Sequence, residues 1–378
     1  MTKGVILSGG WGTRLRPLTC TIPKTLIPVA NKPVVERQML LLKKAGVKEI
    51  ILAVSVMDEY LKNYFKDGEK LGLKIHYTKE ESPMGTAGAL KIAQPYLEDE
   101  NFFMLNGDVI LNFSFKEMLD LHLDYGGIGT IASRQVDDPS RYGVLIIDEK
   151  TQKIEKFLEK ELFNPRDINQ NTMPVNAGVS LLEPEIFTYI PPRKKLSIER
   201  DIYPKLTKKG LLYHYPISGI WKDIGKPHEL LNGNILLLKE LLEESKNYSK
   251  KIIAQSADIN QSVRINPPVM IGEKTIINES CEIGPNVIIG DNVYIEKGSK
   301  VRDSLIYKEV YISENTKINK AIISDNSLIR KGVEIRGNEN NLVILSSYVQ
   351  IQDNLKLICP SNTSITVCHH EVVKEDII

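Results

Sequence analysis

Ile259, Ile265, Ile271, Ile277, Ile283, Ile289, Ile295 and Val301 stand at a strict spacing of six. An amphipathic helix returns an apolar residue every three to four positions, and a half-buried strand every second. Neither period accounts for this run. Four residues after each of the first seven comes Val263, Val269, Thr275, Cys281, Val287, Val293 or Ser299, and glycine follows the isoleucine at Gly272, Gly284 and Gly290. The register slips by one and resumes as Ile306, Ile312 and Ile318, then slips again and resumes as Ile323, Ile329 and Ile335. Such a repeat predicts a parallel β-helix, in which one hexapeptide makes one face of a triangular coil. Residues 252–378 are assigned to it.

Before residue 240 the grammar changes. Apolar strands (Val5–Leu7, Ile50–Ser55, Leu73–Tyr77, Phe102–Leu105) alternate with helical stretches (Pro33–Ala45, Glu59–Leu71, Thr86–Ile92, Phe115–Asp124). This alternation predicts an α/β domain whose mostly parallel sheet is covered on both faces. Val144–Ile147 and Ile154–Leu158 bracket a polar turn and read as a hairpin. A Leu- and Glu-rich stretch, Glu229–Ser245, reads as a helix, and polar residues 246–251 as the linker. The first domain is therefore expected over residues 1–245, with a ligand at the carboxyl ends of its strands.

The 49 Lys and Arg nearly balance 48 Asp and Glu, which argues against nucleic-acid or membrane-surface binding driven mainly by charge. Cys20, Cys281, Cys359 and Cys368 are far apart in sequence, which fits a reduced, cytoplasmic setting. Met1-Thr2-Lys3 leads straight into a strand, so no signal peptide is expected. No apolar run approaches the roughly 20 residues of a membrane span.

The first strand runs into a glycine-rich loop, Leu7-Ser8-Gly9-Gly10-Trp11-Gly12-Thr13-Arg14, followed by Arg16, Pro23-Lys24 and Asn31-Lys32-Pro33. Glycines let backbone N–H groups approach a phosphate, arginine grips its oxygens bidentately and lysine adds a point charge. No Gly-Lys-Ser/Thr follows, as a Walker A loop requires. Leu15 stands where a dinucleotide fingerprint would place its third glycine. Asp108 ends a strand within Asn106-Gly107-Asp108, a natural place for a Mg²⁺ ligand. Trp221-Lys222-Asp223-Ile224-Gly225 offers a second carboxylate.

Together these motifs resemble the signature of the sugar-phosphate nucleotidyltransferases, also called sugar-nucleotide pyrophosphorylases. The resemblance covers nearly the whole chain and is nearest to the family's GDP-mannose branch, in which the Gly85-Thr86-Ala87-Gly88 variant recurs. It implies a Rossmann-like sheet followed by a left-handed β-helix. It assigns Leu7, Gly9, Gly10, Gly12, Thr13 and Arg14 to a nucleoside triphosphate, GTP in that branch, with Glu80, Gly85, Thr86 and Asp108 completing the nucleotide side. Tyr142, Gly143, Glu159, Lys160 and Asn176 fall to the sugar-1-phosphate. Mg²⁺ falls to Asp108 and Asp223, and catalysis to Arg14, Lys24, Asp108, Lys160 and Asp223. Two departures, Thr25 and Glu161 where many relatives have proline, leave the charged residues in place.

The implied reaction is attack of a sugar-1-phosphate oxygen on the α-phosphorus of the triphosphate, with loss of pyrophosphate. The nucleophile is already an anion, so alignment and charge neutralisation suffice. Glucose-1-phosphate thymidylyl- and uridylyltransferases share most of the motifs, and base choice rests on a few hydrogen bonds. Some β-helices are acyltransferases that use a histidine, but residues 229–368 contain none. The spacing of Cys359, Cys368, His369 and His370 matches no standard zinc site. The β-helix is instead expected to mediate binding and homo-oligomerisation. An inactive regulatory subunit is opposed by the intact charged set.

Overall fold

Lys3–Ser8 lies inside a nine-stranded sheet, with Val5 and Ile6 fully buried. The computed structural model describes residues 2–55, 57–161, 163, 172–246 and 249–378; Met1 and, within the expected linker, Asn247 and Tyr248 lie outside them. The chain divides into two units that do not follow chain order. Met1–Trp11 and Val34–Trp221 form one, and Gly12–Pro33 with Lys222–Ile378 form the other.

The sheet belongs to the first unit. Its main path runs Ile154–Leu158, Val144–Ile147, Met173–Leu182, Phe102–Asn106, Lys3–Ser8, Glu49–Val54, Lys74–Lys79. Gly129–Val136 pairs with Met173–Leu182 and with Leu212–Pro216. Pairing is parallel from Phe102–Asn106 through to Lys74–Lys79. It turns antiparallel where Met173–Leu182 enters and in the Val144–Leu158 hairpin, so the whole sheet is mixed.

Val34–Lys44, Gly85–Ala93 and Phe115–Tyr125 form helices close to the expected bounds. The last is capped by Ser114, whose hydroxyl accepts the Glu117 N–H, and closed by Gly126. The expected helix Glu59–Leu71 stops early. It spans Asp58–Phe65, because Lys66 and Gly68 adopt positive φ, and a separate 3₁₀ turn covers Glu69–Leu71.

The second unit is a parallel β-helix with three ladders of short strands. Ile271, Ile277, Ile283, Ile289 and Ile295 all point into one apolar core, so the six-residue spacing places its isoleucines inside. Several corners are turned by asparagines at positive φ, among them Asn286, Asn292, Asn315, Asn326 and Asn354, the non-glycine residue that tolerates this region best. Both register slips fall at the same corner. Asp303 alone connects Lys300–Arg302 to Ser304–Ile306, and Lys320 alone connects Lys317–Asn319 to Ala321–Ile323. Later coils lengthen at this corner, at 337–342 and 359–364. Length changes there leave the stacked strands in register.

The outer side of the first ladder is also apolar and buried, at Met270, Ile288, Leu305, Ile322 and Ile344. Helix Pro227–Glu244 packs against Val287–Ile289 on this ladder and against Pro28–Val29 of the Gly12–Pro33 segment. That segment thus joins the β-helix although it lies near the start of the chain.

Candidate active site

In the sheet unit, Lys3–Ser8 runs parallel between Glu49–Val54 and Phe102–Asn106. All three strands therefore release their loops at one edge. The Ser55 hydroxyl donates to the Gly9 carbonyl, and the Gly107 N–H donates to the Leu7 carbonyl at 3.0 Å. The glycine loop and the turn bearing Asp108 leave the sheet as neighbours. Asp108 is half-buried, while Gly10 and Trp11 are exposed.

The Glu80 carboxylate accepts the Met84 N–H at 2.6 Å. Burial pushes its pKa up, and the Met84 amide offsets part of that rise. Thr86 turns its hydroxyl inward. It donates to Glu199 Oε2 at 2.7 Å and accepts the Ile198 N–H at 2.8 Å. Leu196 completes the dock, accepting the Ala87 N–H and donating its own to the Met84 carbonyl. Gly85 and Thr86 therefore open a helix fixed from behind.

The residues assigned to a sugar phosphate also converge. The Asn176 N–H donates to the Gly143 carbonyl at 2.8 Å, and Asn176 Oδ1 accepts the Gly178 N–H at 2.9 Å. Glu159 Oε1 lies against Gly143. Burial raises the Glu159 pKa, and the Glu199 and Glu161 charges add to this against Arg200 and Lys160. The Tyr142 ring stands edge-on to Trp221 at 5.0 Å, and the Trp221 indole donates to the Ala177 carbonyl. Lys160 is exposed just past Ile154–Leu158. Glu161 pairs with Arg200 at 2.7 Å.

The β-helix unit holds the other charged residues. Gly12 has φ +60, and a Cβ there would sit 2.9 Å from Thr19 Cγ2 and 3.0 Å from Lys24 Cβ. Only glycine meets both conditions at low cost. Thr19 also donates to the Gly12 carbonyl at 2.8 Å. Lys24 is buried, whereas Thr13 and Arg14 are exposed on the 3₁₀ turn Thr13–Leu15. Arg14 and Asp223 both approach Gly225. A Cβ on Gly225 would lie 3.1 Å from Asp223 Oδ1 and 3.4 Å from Arg14 Nη2. A guanidinium and a carboxylate thus both lie close to the Gly225 α-carbon, and a side chain there would make them give by a few tenths of an ångström.

Sequence reasoning passed over Gln38, Thr19 and the role of Gly225. Gln38 Nε2 donates to the carbonyls of Asn106 and Val109, both at 2.9 Å, and so clamps the turn that carries Asp108. Its signal was present: Gln38 stands four residues after Val34 and four before Leu42, a polar residue on the buried stripe of helix Val34–Lys44.

A Rossmann-like sheet with a glycine loop, a strand-end carboxylate and a docked Gly-Thr-Ala-Gly helix defines a nucleotidyltransferase. The chain belongs to that family: the profile described as Nucleotidyl transferase matches residues 3–240, and one described as GMPPB C-terminal domain matches 265–378. It is similar to mannose-1-phosphate guanylyltransferase 1 of Arabidopsis thaliana, 36% identical over 98% of this chain and 97% of that protein. It is also similar to the mannose-1-phosphate guanyltransferase of Kluyveromyces lactis, 40% identical over 93% of each. Among solved structures, HddC from Yersinia pseudotuberculosis complexed with GMP-PN is 32% identical, with a TM-score of 0.53 over 62% of this chain and 98% of that one.

Proposed function

We propose that this protein transfers a guanylyl group from GTP to mannose-1-phosphate, forming GDP-mannose and pyrophosphate. The observation that carries the substrate choice is the near end-to-end match to relatives of that name, 97% of the length of the Arabidopsis protein. A phosphate oxygen of the sugar-1-phosphate forms a bond to the α-phosphorus, and the bond from that phosphorus to the bridging oxygen of the β-phosphate breaks. No proton needs to move.

Leu7, Gly9, Gly10, Gly12 and Thr13 line the triphosphate with backbone, and Arg14 and Lys24 neutralise the charge that grows on departing pyrophosphate. Glu80 and Gly85 face the base, with Thr86 holding their loop. Lys160 takes the sugar's phosphate, while Tyr142, Gly143, Glu159 and Asn176 orient the sugar.

Asp108 and Asp223 suit a divalent cation. Among the described residues, no group of three or more His, Cys, Asp and Glu side chains comes together. One or two carboxylates completed by substrate phosphates is the donor set Mg²⁺ commonly takes. When bound, the ion would withdraw charge from the phosphoryl oxygens.

No helix of the described residues is long and apolar enough to cross a membrane. The four cysteines are free in this fold, and we place the reaction in the cytoplasm. We further assign homo-oligomerisation to residues 252–378. Light scattering on the full chain tests this, and a monomer would refute it.

A matrix of nucleoside triphosphates against sugar-1-phosphates, scored by pyrophosphate release, tests the reaction. GTP with mannose-1-phosphate should give the highest kcat/KM. A maximum with dTTP or UTP and glucose-1-phosphate would replace the substrate reading, and silence throughout would end it.

A further inference from the structure

The corner that follows the first ladder of the β-helix changes character along the stack. The first coil places Ala254 there, the next two place glycine, Gly272 and Gly290, and the three after them place Tyr307, Ser324 and Ser346. Each of these three contributes a hydroxyl, and none is needed for the coil's own ladder. Backbone bonds link Tyr307 to Ile323, Ser324 to Leu345 and Ser346 to Val367 regardless of side chain.

The hydroxyls of Tyr307, Ser346 and the adjoining Ser347 meet the Gly12–Pro33 segment. Ser346 Oγ donates to the Pro17 carbonyl at 3.0 Å, and Tyr307 OH to the Pro28 carbonyl at 3.4 Å. Ser347 Oγ lies 3.2 Å from Thr21 Oγ1 and 3.1 Å from Ser324 Oγ. At the glycine end, Asn31 Nδ2 donates to the Ile289 carbonyl at 2.7 Å. The contacts are ordered: residues 31 and 28 meet successive coils, and residues 21 and 17 meet one coil two steps further on. The segment therefore runs along the stack for three coil steps, about 14 Å at the usual strand spacing of about 4.8 Å.

This segment has little regular structure of its own, only 3₁₀ turns and a two-residue strand pair. A β-helix is rigid, because each coil is hydrogen-bonded to the coils beside it. We infer that the Tyr307–Ser346–Ser347 corner is a positioning rail that sets Arg14 and Lys24 against the triphosphate. This rests on the proposed roles of Arg14 and Lys24. Arg14 lies three residues before Pro17, and Lys24 three after Thr21. Tyr307, Ser346 and Ser347 are positioning residues and touch no substrate. Misplacing a reacting group by about 1 Å costs about 10²-fold in rate, so small losses of anchorage should be visible in kinetics before they are visible in stability.

The test uses the full chain carrying Tyr307→Phe and Ser346→Ala together, with Thr21→Val as an independent variant on the segment side and Arg14→Ala as the control. Both rail variants should lower kcat/KM for GTP about tenfold. KM for mannose-1-phosphate and the melting temperature should stay near wild type. Unchanged nucleotide kinetics would overturn the inference, and so would parallel losses on both substrates that track a fall in melting temperature. If the double variant does not fold, Thr21→Val decides by the same criteria. Normal activity of Arg14→Ala would mean that the proposed catalytic role has failed. Loss in Arg14→Ala with none in the rail variants would mean that only the rail has.

Discussion

Gly9 and Asp108 in the sheet unit are placed by regular structure: parallel strands end together, and backbone bonds such as Gly107 to Leu7 carry that register into the loops. Arg14 and Lys24 in the other unit sit on irregular chain laid along a regular stack, held by side-chain hydroxyls and an amide. Regular pairing distributes its constraint over many bonds, and no single side chain decides it. A strapped segment concentrates its constraint in a few bonds. The sheet side should therefore tolerate single changes in its supports, and the strapped side should lose function first and stability little.

The largest effects should fall on both units equally and so do not depend on the supports. Asp108→Asn and Asp223→Asn should each lower kcat about 10²–10³-fold, since each removes a charged contact made in the transition state. Circular dichroism should show both variants folded. Near-normal turnover at saturating Mg²⁺ in both would remove the metal assignment.

The next effects separate the units. Lys160→Ala should raise KM for the sugar phosphate about tenfold or more with a smaller change in kcat, because it removes a ground-state phosphate contact. Lys24→Ala should instead depress kcat about 10²-fold, because charge builds up on pyrophosphate as it leaves. Steady-state kinetics with each substrate varied in turn reads this directly. Reversal of the two patterns would swap the assignments.

Gly225→Ala and Gln38→Ala probe the supports themselves. A methyl on Gly225 displaces Asp223 and Arg14 and should cost about tenfold in kcat with little loss of stability. Gln38→Ala leaves two carbonyls without their shared donor and should cost about 1–3 kcal/mol in denaturant unfolding, with a smaller change in rate. If Gln38→Ala proved the more damaging to turnover, the contrast between pairing and strapping would be wrong.

The smallest effect concerns the sheet unit's surface. Asp58 accepts from Lys62 at 2.8 Å and Lys79 at 2.9 Å, and these bonds hold its pKa down to about 2. Its folded value is depressed, so the stabilisation exists above the unfolded value and is lost as pH falls through the folded one. Both lysines are solvent-exposed, which limits the contribution to about 1 kcal/mol. Asp58→Asn should lower stability at pH 7 by that amount, with the gap closing between about pH 4 and about pH 2. A gap that persisted at pH 2 would point to packing instead.

The periodic features of this protein are local, and they were legible residue by residue. Isoleucines six apart specify a coil face because each hexapeptide repeats the same turn, and even the one-residue slips near 303 and 320 could be read before the corner that absorbs them was seen. Strand ends marked Gly9 and Asp108 for the same reason. What only the tertiary structure decided are contacts between residues far apart in the chain: Pro17 with Ser346, Asn31 with Ile289, Gln38 with Val109, and the approach of Arg14 to Gly225. No periodicity encodes these pairings, because they depend on which buried face meets which once each unit has folded. That is why the glycine loop reads in sequence as the opening of the sheet domain, while Gly12–Pro33 belongs to the unit of the β-helix.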